Sequence, residues 1–181
     1  MKRYVALFLT VVMVLFLPFR ASAAYAVEIP VTASQTSVVM DISTGQVLVE
    51  TEMNQKMYPA SITKIMTVLL ALENADPATV HTMSYEATHS IDSGSTHIAL
   101  TEGEQITLKD RIYATMVAST NDAANGIAEC VGGSIEQFVA MMNEKAKEIG
   151  AVNTHFVNAN GLHDPNHYTT AYDMALITQY A

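Results

Sequence analysis

Tyr58-Pro59-Ala60-Ser61-Ile62-Thr63-Lys64-Ile65-Met66-Thr67-Val68-Leu69-Leu70 is the stretch from which the rest of the chain can be read. Ile62, Ile65, Met66, Leu69 and Leu70 fall at i, i+3, i+4, i+7 and i+8, the apolar face of a helix laid on a core. Pro59 suits the first helical position, where a missing N–H costs nothing. Ser61 and Lys64 are three apart and so share one surface of that helix. A serine hydroxyl is a poor nucleophile until a base takes its proton. A lysine one turn away is that base only when neutral. With a pKa of ~10.4, about one free lysine in a few thousand is neutral at pH 7, and a shift of about three units costs about 4 kcal/mol. Burial or a nearby cation must supply it. At the helix N-terminus, free N–H groups can face a developing oxyanion. The S-x-x-K string alone is weak, because an ordinary first turn with an exposed lysine has the same spelling.

Ser119-Thr120-Asn121 adds a second element. It falls between two helical stretches, where a hydroxyl can relay a proton and an amide can hold a peptide group. Capping of the following helix competes as an explanation, since Ser, Thr and Asn are all good caps.

Composition bounds the rest. The chain has 181 residues, half of them apolar and 15% charged, with one cysteine, which describes a folded domain rather than a disordered tail or a disulfide scaffold. Eighteen acidic residues against nine basic ones give a net charge of -9, which argues against nucleic acid as a partner. Lys2 and Arg3 precede an apolar stretch from Tyr4 to Phe19, followed by small residues at Ala21-Ser22-Ala23-Ala24. This order predicts a secretory signal peptide over 1–24, with cleavage after Ala23, Ala24 or Ala26 all open. A retained anchor is the competing reading, but the apolar core is short for a span of about 20 residues. The protein is therefore expected to be exported across the cytoplasmic membrane. The lone Cys130, among Ile127, Ala128 and Val131, reads as a small buried apolar residue.

Ser37–Ile42 and Gln46–Glu50 read as strands joined by Ser43-Thr44-Gly45, a hairpin. From Asp76 to Ile106 the chain is polar and turn-rich, with short extended pieces such as His97–Leu100. Thr107 with Asp110 opens a helix to about Ala118, and Asn121–Val131 is another, stopped by Gly132-Gly133. Ser134 with Gln137 caps a helix that ends at Gly150 and turns Ile135, Phe138, Val139, Met142 and Ile149 inward. Thr170 with Asp173 opens a last helix, which reaches Ala181 without a stop signal. One hairpin is too little sheet to stand alone. These two features lead us to expect the N-terminal part of a longer protein.

Taken together, these motifs resemble the low-molecular-mass penicillin-binding proteins, the serine-type D-alanyl-D-alanine carboxypeptidases. Tyr58–Thr67 resembles the family's nucleophile helix and Val117–Ala124 its second motif. Asn160-Gly161-Leu162, Thr170–Ala175 and the hairpin with Asp41 and Thr44-Gly45 resemble further family segments. The resemblance implies an α+β fold, the N-terminal portion of a DD-peptidase/β-lactamase-like domain. That portion comprises a hairpin plus a helical subdomain, with the C-terminal sheet strands missing. The implied organisation is a signal peptide over 1–24, a linker over 25–36 and a partial catalytic domain over 37–181.

The resemblance also implies a chemistry. Ser61 attacks the carbonyl between two terminal D-alanines of a peptidoglycan stem peptide, and Lys64 takes its proton. Ser119 helps pass that proton to the leaving amine, and Asn121 hydrogen-bonds the substrate backbone. β-Lactam antibiotics acylate the same Ser61. No metal or organic cofactor is implied. The family's third motif, K-T-G, does not occur: Lys109, Lys145 and Lys147 are the only later lysines. Nor does the sequence carry the family's C-terminal membrane anchor. These 181 residues alone are therefore expected to release little or no D-Ala.

Three alternatives compete. A class A β-lactamase favours S-D-N and needs a deacylating Glu, but Thr120 stands in the middle here and 158–167 holds no Glu. A non-catalytic penicillin-binding or sensor module would keep Ser61 and lose turnover. A metal hydrolase could use the spacing of His163 and His167, although Pro165 argues against a helix presenting both rings on one face.

Overall fold

The hairpin forms because Asp41 organises its turn. One carboxylate oxygen accepts from the N–H groups of Ser43 and Thr44 and from the Thr44 hydroxyl, and Gly45 takes the left-handed conformation at φ 70°. Strands β1 (Ser37–Met40) and β2 (Val47–Thr51) then pair antiparallel, Ser37 opposite Thr51, with an irregularity between Val39 and Met40. The structure, a computed structural model, describes residues 33–181. The expected signal peptide, and the expected linker up to residue 32, lie outside the described residues.

A 3-10 turn (Ala60–Thr63) leads into helix α1 (Lys64–Asn74). The sequence predicts one continuous α-helix from Pro59, and the structure corrects this. Ala60 adopts φ 49°, so the chain enters through a tight, strained turn rather than a regular α turn. Ile62 is also displaced from the expected core face and is 48% exposed. It lines a surface groove with Val38, Met40, Ile65 and Met174. Met66, Val68, Leu69, Leu70 and Ala71 are all buried, which makes α1 a central helix rather than an amphipathic surface one.

The segment expected to be turn-rich holds more order than its sequence suggests. Strand β3 (Val80–Thr82) pairs antiparallel with β4 (Gln105–Thr107), and helix α2 (Tyr85–His89) lies between them in sequence. The expectation of a single hairpin is thus corrected to two two-stranded sheets among the described residues. Three-residue strands are too short to show alternation, and their partners are remote in sequence.

Helices α3 (Leu108–Val117), α4 (Asn121–Gly132), α5 (Ile135–Ile149) and α6 (Ala171–Tyr180) pack around α1. Phe138, Met142, Leu108, Ile127, Phe156 and Ile177 fill the core with the buried face of α1. Cys130 is free and packs partly buried at its margin. Three caps form as their sequences predict: Thr107 accepts from the Asp110 N–H, Ser134 from Gln137 and Thr170 from Asp173. Ser134→Ala is expected to cost about 1 kcal/mol. The check is a lower urea midpoint at unchanged m-value; an unmoved midpoint would show the cap to be energetically idle.

The chain after α5 holds the site in place. Met57 and Thr169 exchange backbone hydrogen bonds, as do His155 and Tyr168, so the 168–169 stretch is stitched on both sides. Among the described residues, no helix is long and apolar enough to cross a membrane.

Candidate active site

Lys64 opens α1 and is only 2% exposed, although a lysine ammonium is strongly hydrated in water. Its Nζ donates to Asn121 Oδ1 at 2.8 Å, to the Asn160 carbonyl at 2.7 Å and to Ser61 Oγ at 3.3 Å. Three donors thus meet three acceptors from three segments of the chain. These acceptors favour the ammonium, but burial outweighs them and pushes the Lys64 pKa down to about 8. The bonding survives deprotonation. A neutral amine keeps two N–H donors for Asn121 and Asn160 and offers its lone pair to the Ser61 hydroxyl, which then donates. Ser61 itself is exposed, so a base buried from water faces a hydroxyl that a substrate can reach.

Asn121 arrives at Lys64 because α4 is buried along its first two turns, from Asn121 to Ala128. Its own N–H donates to the Thr96 carbonyl at 2.8 Å. One residue on, buried Asp122 accepts from the Leu100 N–H at 3.0 Å and the Ile98 N–H at 3.2 Å, which fastens the 96–100 loop to the helix start. Ser119 stands just before this helix in the left-handed region, φ 56°, and is half-buried. Thr120 is the N-terminal flanking residue of α4 and makes no side-chain cap. Capping therefore does not explain the Ser-Thr-Asn string. The structure brings Ser61, Lys64 and Asn121 into one hydrogen-bonded group. Among the described residues, Ser119 Oγ makes no hydrogen bond to that group, and Ser119 is tied to it through the backbone alone.

Sequence reasoning assigned no role to the 158–162 turn, yet this turn closes the site. Ala159 accepts from the Thr67 hydroxyl at 2.6 Å, and Asn160 from Lys64. The Asn160 side chain donates to Asn125 Oδ1 at 3.0 Å and accepts from the Leu162 N–H at 2.9 Å. Asn121 and Asn125 are four apart on α4, so one helix face holds both the lysine and the turn that caps it. Gly161, at φ 89°, lies so close to the Ala60–Ser61 peptide that a Cβ would overlap the Ala60 carbonyl and come within 3.0 Å of the Ser61 nitrogen. The resemblance of Asn160-Gly161-Leu162 to a family segment was the available signal, but contacts made by carbonyl oxygens carry no residue signature.

The two histidines at metal-ligand spacing part company. His163 packs edge-on to Tyr58 at 4.5 Å between ring centroids, whereas His167 is buried against Thr63. Among the described residues, no three His, Cys, Asp or Glu side chains converge on a metal position.

Comparison with known proteins decides the relationship. The family profile described as D-alanyl-D-alanine carboxypeptidase, peptidase family S11, matches residues 23–181. The chain belongs to the D-alanyl-D-alanine carboxypeptidase family. Its relatives include D-alanyl-D-alanine carboxypeptidase DacF of Bacillus subtilis, 40% identical over 148 residues, a match covering 81% of this chain and 38% of the relative. DacC of Escherichia coli is 34% identical over 90% of this chain and 43% of its own length. Among solved structures, the Mycobacterium tuberculosis H37Rv D-alanyl-D-alanine carboxypeptidase superposes with a TM-score of 0.81 at 31% identity, covering 87% of this chain and 59% of that one. Escherichia coli penicillin binding protein 6B gives 0.79 at 30% identity, covering 87% of this chain and 52% of that one. The chain thus spans about two fifths of these curated relatives, and its α+β fold is that of the N-terminal part of the solved family members.

Proposed function

We propose that this chain carries the nucleophile half of a serine-type D-Ala-D-Ala carboxypeptidase, with Ser61 as nucleophile and Lys64 as general base. The observation that carries the reading is the dry, three-acceptor seat of Lys64 directly behind an exposed Ser61 hydroxyl. In the neutral form, Lys64 Nζ accepts the Ser61 proton as Oγ bonds to the carbonyl carbon between the two terminal D-alanines of a stem peptide. The tetrahedral intermediate collapses, the C–N bond breaks, and D-Ala leaves as an amine that takes up the proton. Water then cleaves the acyl-enzyme ester and restores the Ser61 hydroxyl.

Ser119, two residues before the buried start of α4, is the proposed relay of that proton to the leaving amine. Asn121 commits its carbonyl oxygen to Lys64, which leaves its amide N–H groups for a substrate carbonyl. β-Lactams acylate the same Ser61, in keeping with the penicillin-binding name of a solved relative. The substrates lie outside the cytoplasm, in agreement with the export expected from residues 1–24. The β-lactamase alternative gains nothing from the 158–167 segment, where the Asn160 carbonyl, and no carboxylate, faces the base.

The test is the pH profile of penicillin acylation by the full-length gene product. The base is active when deprotonated, so the rate is expected to rise about tenfold per pH unit below 8 and flatten above it. The same burial makes the ammonium a cost to folding that is relieved as pH climbs from about 8 toward 10.5. A rate already flat at pH 6 would remove Lys64 from the base role.

A further inference from the structure

Thr63 lies between the proposed nucleophile and its base in sequence and is fully buried. Its hydroxyl meets His167 Nε2 at 2.9 Å. The other ring nitrogen, Nδ1, accepts from the Val157 N–H at 3.3 Å. An Nδ1 that accepts must carry its lone pair, so the ring proton sits on Nε2 and is donated to Thr63 Oγ. The ring is 2% exposed and packs edge-on to Phe156 at 5.6 Å. Its backbone N–H donates to the Asp164 carbonyl, and the following residues are stitched to His155 and Met57. The histidine thus fixes the middle of the 3-10 turn to a part of the chain that is itself held on both sides.

We infer that His167 is a positioning residue: through Thr63 it sets the turn that spaces the Ser61 hydroxyl from the Lys64 amine. This rests on the reading of Ser61 and Lys64 given above and extends it by a residue that touches neither reacting atom. The arrangement requires a neutral ring, since a second proton on Nδ1 would point one donor at another, the Val157 N–H. Burial pushes the pKa of the ring down to about 4, and two titratable neighbours act on it more weakly in opposite senses, Asp164 favouring the imidazolium and His155 opposing it. Folded-state neutrality therefore stabilises the protein fully above the ordinary histidine value near 6.5, and that contribution is lost as pH falls toward about 4.

The experiment is nitrogen and carbon NMR of the 181-residue chain, following the His167 ring, the Ser61 and Lys64 amides and Lys64 Nζ. The expected result is an Nε2–H tautomer at pH 7 and a shift of both amides in acid that tracks His167 protonation. Thr63→Val keeps the side-chain shape and removes the acceptor. It is expected to let water reach Nζ and to cut the fraction of free amine at pH 7 by about tenfold, one pKa unit. His167→Gln, whose amide can donate to Thr63 and accept from Val157 without titrating, is expected to keep the wild-type Lys64 midpoint and abolish the acid-limb shift. An Nδ1–H tautomer would overturn the proposal. So would a folded Thr63→Val chain with an unmoved Lys64 midpoint, because a purely structural histidine would leave that midpoint alone. A wild-type Lys64 midpoint at the ordinary lysine value would instead count against the base assignment, so the two failures are distinguishable.

Discussion

Ser61→Ala is expected to abolish covalent labelling by penicillin in the full-length gene product, a loss of about 10⁴-fold or more in acylation rate. Among the described residues, Ser61 is the one exposed hydroxyl that meets Lys64 Nζ. Thr63 is engaged by His167, and Thr67 donates to the Ala159 carbonyl. Ser119 makes no hydrogen bond to Lys64. Ser61 is exposed, so removing its oxygen should change stability by no more than about 0.5 kcal/mol. Large loss of chemistry with little loss of fold is the signature to look for, measured by mass spectrometry of the penicillin adduct beside a urea melt. Persistent labelling of the alanine variant would place the nucleophile elsewhere.

The second large effect is on stability. Gly161→Ala is expected to cost roughly 3 kcal/mol or more, from two sources. The left-handed backbone at φ 89° alone costs an alanine about 1 kcal/mol. The larger part is steric: the new Cβ meets backbone atoms of Ala60 and Ser61, which cannot rotate aside as a side-chain tip can. The urea midpoint should fall by about 1–2 M. Gly150→Ala is the control, since Gly150 sits at φ 92° with nothing within 4 Å of its would-be Cβ. It pays the backbone cost and no clash. If both variants lose the same amount, the 158–162 turn does not press on the nucleophile as described. Penicillin acylation of Gly161→Ala full-length protein should drop along with its stability, because the same overlap displaces the Ser61 nitrogen.

What was legible in the sequence followed from short-range rules. Ser61 and Lys64 could be paired because residues three apart share a helical surface, a rule that holds even though the turn between them is 3-10 rather than α. The helices opened by Thr107, Ser134 and Thr170 were visible because a cap and its N–H donor are three residues apart. Asn121 could be marked as a site candidate, but its partner could not, since Lys64 lies far back in the chain and only the packing of α4 on α1 brings them together. Asn160 and Gly161 fall in a segment that resembles the family, but the roles of the remaining contributors were out of reach for stated reasons. Asn160 acts through its carbonyl, which every residue possesses. Gly161 reads as an ordinary turn glycine until the Ala60 peptide is placed beside it. His167 stood in a string that suggested a metal, and only its burial on Thr63 shows another use. The β3–β4 pair is three residues long on each side and has no local pattern at all.

The account rests on a lysine that water does not reach. Its most direct test is the titration of Lys64 Nζ, read from the attached carbon and nitrogen resonances of the 181-residue chain. A midpoint near 8 is predicted, and a midpoint near the free-lysine value of about 10.4 would contradict it.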